Sequence, residues 1–237
     1  MKHKILSLII LISLIVSSCE LDNYDAPDAK FFGAIIDKET GDTIPQDLID
    51  GSKIDYIELG YKNPQIQQLR FHVDGTFRND LMFSGDYKII PTRGNFFSPD
   101  TLNVYINKGE NKIDFLVTPY CTIKNEDVRF ELKDYKGKLW LLAYFKVIQH
   151  TTENIKELML AIDENPNVGL RINTKYFKRP FKKMTDPDKE LLLYISLEGL
   201  KEGTKYYIRI GALADIPEAR YNWCKAIRVD PFSLPQP

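Results

Sequence analysis

From Lys30 onward, apolar and polar residues alternate with a period of two in short runs. Turn-forming Gly, Pro, Asn and Asp separate the runs, and this is the pattern of half-buried β-strands. In the first half, strands are predicted at Phe31–Ile36, Ile54–Tyr61, Leu69–Val73, Tyr87–Ile90, Thr101–Ile106 and Ile113–Val117. Asp74-Gly75 is a hairpin signal that continues into Thr76-Phe77-Arg78. Gly41, Gly85-Asp86 and Gly109-Glu110-Asn111 are predicted to turn, and Pro91 stops the strand before it. No helical period of useful length appears. Short strands at this spacing predict an all-β fold, with residues 30–119 as one β-sandwich.

The second half, residues 120–237, repeats the pattern with greasier strands. Thr122–Leu132 alternates loosely, and Lys136-Gly137 turns into Leu139–Ile148. One face of that strand holds Leu139, Leu141, Ala143, Phe145 and Val147. The other holds Trp140, Leu142, Tyr144, Lys146 and Ile148, which is apolar for a solvent side. Glu157–Asp163 and Leu191–Leu197 are further strands, the second again two-faced with Leu192 and Tyr194 outward. Tyr206, Ile208 and Ile210 are predicted to face a core, with Tyr207 and Arg209 outward, and Tyr221–Val229 is the last strand. Thr174–Lys189 carries five lysines, one arginine and two prolines. It is too polar for a core and reads as a loop or ragged edge strand. The whole is two β-sandwiches in tandem.

Ahead of them lies a different pattern. Lys2 and Lys4 precede an apolar run from Ile5 to Val16, and Val16-Ser17-Ser18-Cys19 closes it. The run is shorter than the roughly 20 residues that cross a bilayer. It suits a secretory signal ending in a bacterial lipobox. Residues 1–18 are therefore expected to be removed, leaving Cys19 as a lipid-bearing first residue and the membrane as a partner. Acyl chains contribute about 0.8 kcal/mol per buried CH₂, so two or more anchor a protein stably. Residues 19–29 are acidic and aperiodic and read as a flexible tether. Acidic residues directly after the cysteine resemble a surface-export signal, so the expected location is the outer membrane, at the cell surface.

Net charge is -1, which leaves no electrostatic footprint for nucleic acid. Besides Cys19 there are Cys121 and Cys224, far apart in sequence. They read as two separate core residues, although an oxidising compartment would permit a disulfide. His72 and His150 have no partner at metal-ligand spacing. No phosphate loop, nucleophile elbow or zinc-protease motif occurs. Asp163-Glu164 and Asp186/Asp188 lie on predicted turns, where carboxylates are usually solvated; paired acids would need a defined separation to act on glycosides. No catalytic residue, cofactor or metal is assigned, and an enzyme is not expected.

Aromatic residues are the better lead, because Tyr and Trp offer flat apolar faces with a polar edge that suit sugar rings and interfaces. The candidates are Trp140, Tyr144 and Tyr194 on one outer sheet face, and Tyr221 and Trp223 near the last strand. Each has a plainer reading. The first group would be the contact between the two domains, the preferred reading because large apolar patches are normally covered. Trp223 would fill a core. Phe96-Phe97 would anchor a loop or form its exposed tip.

Phe32-Gly33-Ala34-Ile35-Ile36-Asp37, Thr40-Gly41, Ile44-Pro45, Asp74-Gly75-Thr76-Phe77, Leu81 and Gly85-Asp86-Tyr87-Lys88-Ile89 together resemble a carboxypeptidase-regulatory or prealbumin-like domain. The same segment is similar to the N-terminal domain of an uncharacterised lipoprotein family from Bacteroidetes glycan-utilisation loci, which begins as Asn23–Pro27 do here. In the second half, Leu200–Ile210 resembles the sixth strand of a fibronectin type III-like domain, with Tyr206 at the tyrosine corner. Asp42-Thr43-Ile44 and Asp100-Thr101-Leu102 resemble short O-glycosylation acceptors. The family resemblance implies a non-catalytic accessory of a Sus-type glycan uptake system that binds polysaccharide or proteins of the uptake complex. The rival expectation is a spacer or adhesion module without glycan affinity.

Overall fold

The computed structural model describes residues 25–181 and 188–236. Cys19 and Asp186, singled out above, lie outside them. The first domain contains β1 (Ala29–Asp37), β2 (Lys53–Glu58), β3 (Ile66–Arg70), β4 (Thr76–Met82), β5 (Gly85–Thr92), β6 (Leu102–Ile106), β7 (Gly109–Lys112) and β8 (Phe115–Val117). One sheet is built on β1, antiparallel to β4 and parallel to β7 and β8. The other is antiparallel in the order β3-β2-β5-β6. The inward residues of both meet in one core, where Phe77 is ringed by Phe31 at 4.7 Å, Phe71 at 5.6 Å and Phe115 at 5.7 Å.

Two local expectations are corrected. Asp74-Gly75 does not join a hairpin, because β3 pairs with β2 while β4 pairs with β1 in the other sheet. The tight turn is present, with the His72 N–H donating to Thr76 O at 2.7 Å, but it carries the chain across the sandwich. Phe71 turns inward at that crossing and is buried. Gly75 is required there: its φ is +86°, and a Cβ would lie 2.5 Å from the Ile44 carbonyl oxygen. The second correction is at Gly109–Asn111, which is strand and not turn. Asn111 fixes it alongside β1 by donating to Lys30 O at 3.1 Å and Asn107 O at 2.7 Å.

The second domain holds β9 (Cys121–Thr122), β10 (Arg129–Tyr135), β11 (Lys138–Phe145), β12 (Ile148–Gln149), β13 (Ile155–Asp163), β14 (Lys175–Pro180), β15 (Leu191–Ser196), β16 (Tyr206–Ala214), β17 (Asn222–Trp223) and β18 (Ile227–Val229). One sheet runs β10-β11-β15. The facing sheet runs β14-β13-β16, with β17 and β18 both paired to β16. Lys136 and Gly137, both at positive φ, make the two-residue turn between β10 and β11. The core between the sheets includes Leu141, Phe145, Leu160, Leu193, Ile208 and Ile210. The two-tandem-sandwich, all-β class predicted from alternation is what the chain adopts.

Two predicted strands differ in detail. Thr122–Leu132 is interrupted by a 3-10 turn at Asn125–Asp127. Tyr221–Val229 is split into β17 and β18, because the intervening Lys225 backbone bonds to the Asn125 side chain at 2.8 and 3.0 Å. The basic stretch, read as a loop or ragged edge strand, supplies the edge strand β14, which among the described residues pairs with β13.

Cys121 and Cys224 are free and buried in the second core. Burial pushes the Cys121 thiol up to about 12, and the Cys224 thiol upward too. A thiol that stays protonated is a poor nucleophile. Neither is expected to react with Ellman's reagent at pH 8 in the native chain lacking Cys19, and both should react in denaturant. Rapid native reaction would contradict this packing.

Candidate functional site

Alternation along β11 sends Trp140, Leu142 and Tyr144 to the outer face of the three-stranded sheet. Register then decides their neighbours: Trp140 lies between Lys133 and Ser196, Leu142 between Glu131 and Tyr194, Tyr144 between Arg129 and Leu192. The Trp140 and Tyr194 rings meet edge-on at 5.8 Å. Phe177, from edge strand β14 of the facing sheet, stacks on Tyr194 at 5.0 Å and 26°. Lys133, Tyr135, Trp140, Leu142 and Tyr194 line an open depression of about 300 Å³. Tyr194 is 44% exposed and Tyr135 56%. The indole Nε1 of Trp140 is buried and has no hydrogen-bond partner among the described residues.

Tyr144 is not part of that surface. The Arg129 guanidinium covers its ring at 3.7 Å from the centroid. Arg129 is itself held by both carboxylate oxygens of Glu190, at 3.1 and 2.8 Å, and by Glu131. Desolvation, then the nearby Glu131, raises the Tyr144 hydroxyl above its usual pKa.

The preferred reading of this face as the contact between the domains is corrected. The first domain packs on the opposite sheet, bonding to Arg209 of β16, Asn222 of β17 and the turn at residues 168–171. The outer side of that sheet is covered by Met159, Ala161, Val168, Tyr221 and Trp223, so these last two aromatics are buried and present no ring to a ligand. Tyr221 donates its hydroxyl to Glu157, and burial together with that carboxylate raises its pKa.

The seam itself is polar and specific. Asn95 of the first domain donates to Tyr221 O at 3.1 Å, and Asn222 donates back to Asn95 O at 2.7 Å. The Asp47 carboxylate accepts from the backbone N–H groups of Ile49, Asp50 and, across the seam, Leu170 at 2.6 Å. Arg171 pairs with Asp50 at 2.6 Å. At the centre is Arg209, fully buried. Its Nε donates to Cys224 O at 2.9 Å, and its Nη1 to Gln46 O of the first domain at 2.8 Å and Val168 O at 3.3 Å. Desolvation lowers its pKa to about 10, so it remains charged at neutral pH. The alternation that put Arg209 outward was right about the face, yet that face is covered by another domain. Gly169 was the available signal: a Cβ there would lie 2.3 Å from the Asp47 carboxylate of the first domain, a close approach only glycine allows.

The remaining candidates occupy structural places. The Tyr206 hydroxyl accepts from the Lys201 N–H at 2.9 Å, and the residue is buried. His72 is exposed beside Thr76, and His150 lies 3.1 Å from Thr122 Oγ1. No group of three or more His, Cys, Asp or Glu among the described residues could hold a metal ion. Asp163 accepts from Asn165 N–H and Thr174 Oγ1, which fixes a turn. Phe96 is buried, while Phe97 is half-exposed against Tyr120 at 4.9 Å.

Fold and surface define a class: two β-sandwiches joined by a buried polar seam, with an aromatic depression left open on the second. Residues 29–118 match the N-terminal domain model of a protein family of unknown function, DUF3823, and residues 122–225 match its C-terminal domain model, DUF3823_C. The chain belongs to the DUF3823 family. Among solved structures, it is similar to one from Bacteroides uniformis described as a "putative carbohydrate binding protein", with 26% identity, a TM-score of 0.75, and coverage of 86% of this chain and 99% of that one. DUF3823 family proteins from Bacteroides ovatus (21% identity, TM-score 0.69, 86% and 99% coverage) and Parabacteroides merdae (20%, 0.70, 86% and 100%) share the fold. No curated protein matches the chain.

Proposed function

We propose that this protein is a lipid-anchored, non-catalytic saccharide-recognition protein of the outer membrane, an accessory to a Sus-type glycan uptake system. The observation that carries the reading is the open depression formed by Tyr135, Trp140 and Tyr194, which the first domain leaves uncovered. Flat aromatic faces bind the apolar faces of sugar rings, while Lys133 at the margin can donate to hydroxyls. The 26% identical relative described as a "putative carbohydrate binding protein" supports the same class of ligand. The lipobox at Val16–Cys19 supports the anchor.

Affinity gel electrophoresis of the soluble chain through a panel of polysaccharides tests recognition. At least one should retard it. A second reading, a spacer that holds partner proteins apart, is favoured by the stiff seam around Arg209. Absence of retardation by every polysaccharide, together with co-purification with a transporter, would select the spacer. The anchor is tested separately: cells fed labelled palmitate should label the wild-type chain and not Cys19→Ala. Equal labelling of both would remove Cys19 as the lipid site.

A further inference from the structure

The charge around the aromatic depression is one-sided. Its lining includes a cation, Lys133, and no carboxylate. Lys133 is exposed on β10 and is the cross-strand partner of Trp140. Lys136, in the turn between β10 and β11, holds its ammonium 5.3 Å from the Tyr135 ring centroid. Neither lysine has an ion-pair partner among the described residues. The carboxylates that flank this face are committed elsewhere: Glu131 and Glu190 to Arg129, and Glu198 to Lys138 at 3.3 Å. The Lys175 ammonium donates to the backbone carbonyl of Glu198 as well. The chain as a whole has a net charge of -1, so this gathering of cations is local and not a property of the whole surface.

We propose that the depression selects acidic saccharides, whose rings carry a uronic-acid carboxylate, over neutral ones. The inference rests on the saccharide reading above and adds the chemical class of the ligand. Directly opposite residues of an antiparallel pair have Cβ atoms about 4.5–5.5 Å apart, so a ring stacked on Trp140 lies beside the Lys133 side chain. A uronate carries its carboxylate on a ring carbon, at the edge of the stacked ring, where the Lys133 ammonium reaches it. Such a charge-assisted hydrogen bond is stronger than one between neutral groups. The depression is open to water, so salt screens the pair, and stacking supplies the rest of the affinity. A sulfate ester hangs its charge one oxygen further from the ring and swings about that bond. A lysine fixed by strand register holds it less firmly.

The test runs the soluble chain through affinity gels containing polygalacturonate, alginate or hyaluronate. Matching gels contain the carboxyl-reduced form of each, in which every uronate has become the neutral sugar. At least one acidic polymer should bind about tenfold or more tighter than its reduced form at low salt, and the difference should vanish at about 0.5 M salt. Lys133→Glu should remove that difference and Lys133→Gln should shrink it. Lys62→Glu, the same charge change on an exposed lysine of the first domain, should keep it. Equal affinity for each acidic polymer and its reduced form would overturn the inference. So would an equal loss in Lys62→Glu, or dextran sulfate binding as tightly as the best uronic polymer. If neutral polysaccharides alone retard the chain, and Tyr194→Ala abolishes that, only the uronate selectivity fails. Retardation by no polymer of either kind would bring down the saccharide reading with it.

Discussion

Arg209→Ala is expected to cost the folded protein more than about 4 kcal/mol, the largest effect of any single substitution at the seam. Three carbonyls, those of Gln46, Val168 and Cys224, lose their donor at once. Each is left in a site closed to water, where an unsatisfied group costs about 1–3 kcal/mol. The side chain also leaves a void beneath Trp223, whose ring lies 5.3 Å from the guanidinium. Arg209→Lys should not rescue it, because an ammonium cannot span the same carbonyls with a planar fork. The sign with pH follows from burial. The folded pKa, about 10, is below the ordinary 12.5, so the cost of burying the charge is full below pH 10 and is relieved as pH rises from 10 to 12.5. Neutral-pH denaturant unfolding with a probe in each domain reads the effect. One cooperative transition should become two, at lower midpoints; coincident and unshifted transitions would show that Arg209 does not hold the domains together.

Tyr194→Ala and Trp140→Ala are expected to weaken binding of any retarding polysaccharide about tenfold or more, or about 1.4 kcal/mol. Tyr194 is 44% exposed, so its loss removes a contact surface with little change in stability. Trp140 is half-buried, and its truncation should lower stability as well as affinity. Tyr144→Ala is the internal comparison. Arg129 already covers that ring, so affinity should change by less than a factor of about two. Calorimetric titration of the four chains with one polysaccharide measures the series. An effect at Tyr144 equal to that at Tyr194 would mean the ligand does not stack where the open surface is.

Strand placement was legible because alternation is local: β11 and β16 show their core faces in their own residues. Which sheet a strand joins is not local. Asp74-Gly75 looks the same whether the strands on either side pair or part, and here β3 and β4 part. The candidate surface was legible as a set, since Trp140 and Tyr194 were placed together on one outer face. What covers that face was not. An apolar outer strand suggested a docked domain, yet the first domain sits on the other sheet, at Arg209, Asn222 and the turn at residues 168–171. Gly169, whose Cβ would meet the Asp47 carboxylate of the first domain, marks that interface, and an arginine between core residues reads as solvent-facing until the neighbour is known. Tyr144 illustrates the same limit: its cover, Arg129, is a cross-strand partner fixed only by register.

The most direct measurement is a crystal structure of the chain with an oligosaccharide cut from a polysaccharide that retards it. The account predicts a sugar ring stacked in the depression between Tyr135, Trp140 and Tyr194. An oligosaccharide bound elsewhere, with that depression bare, would contradict it.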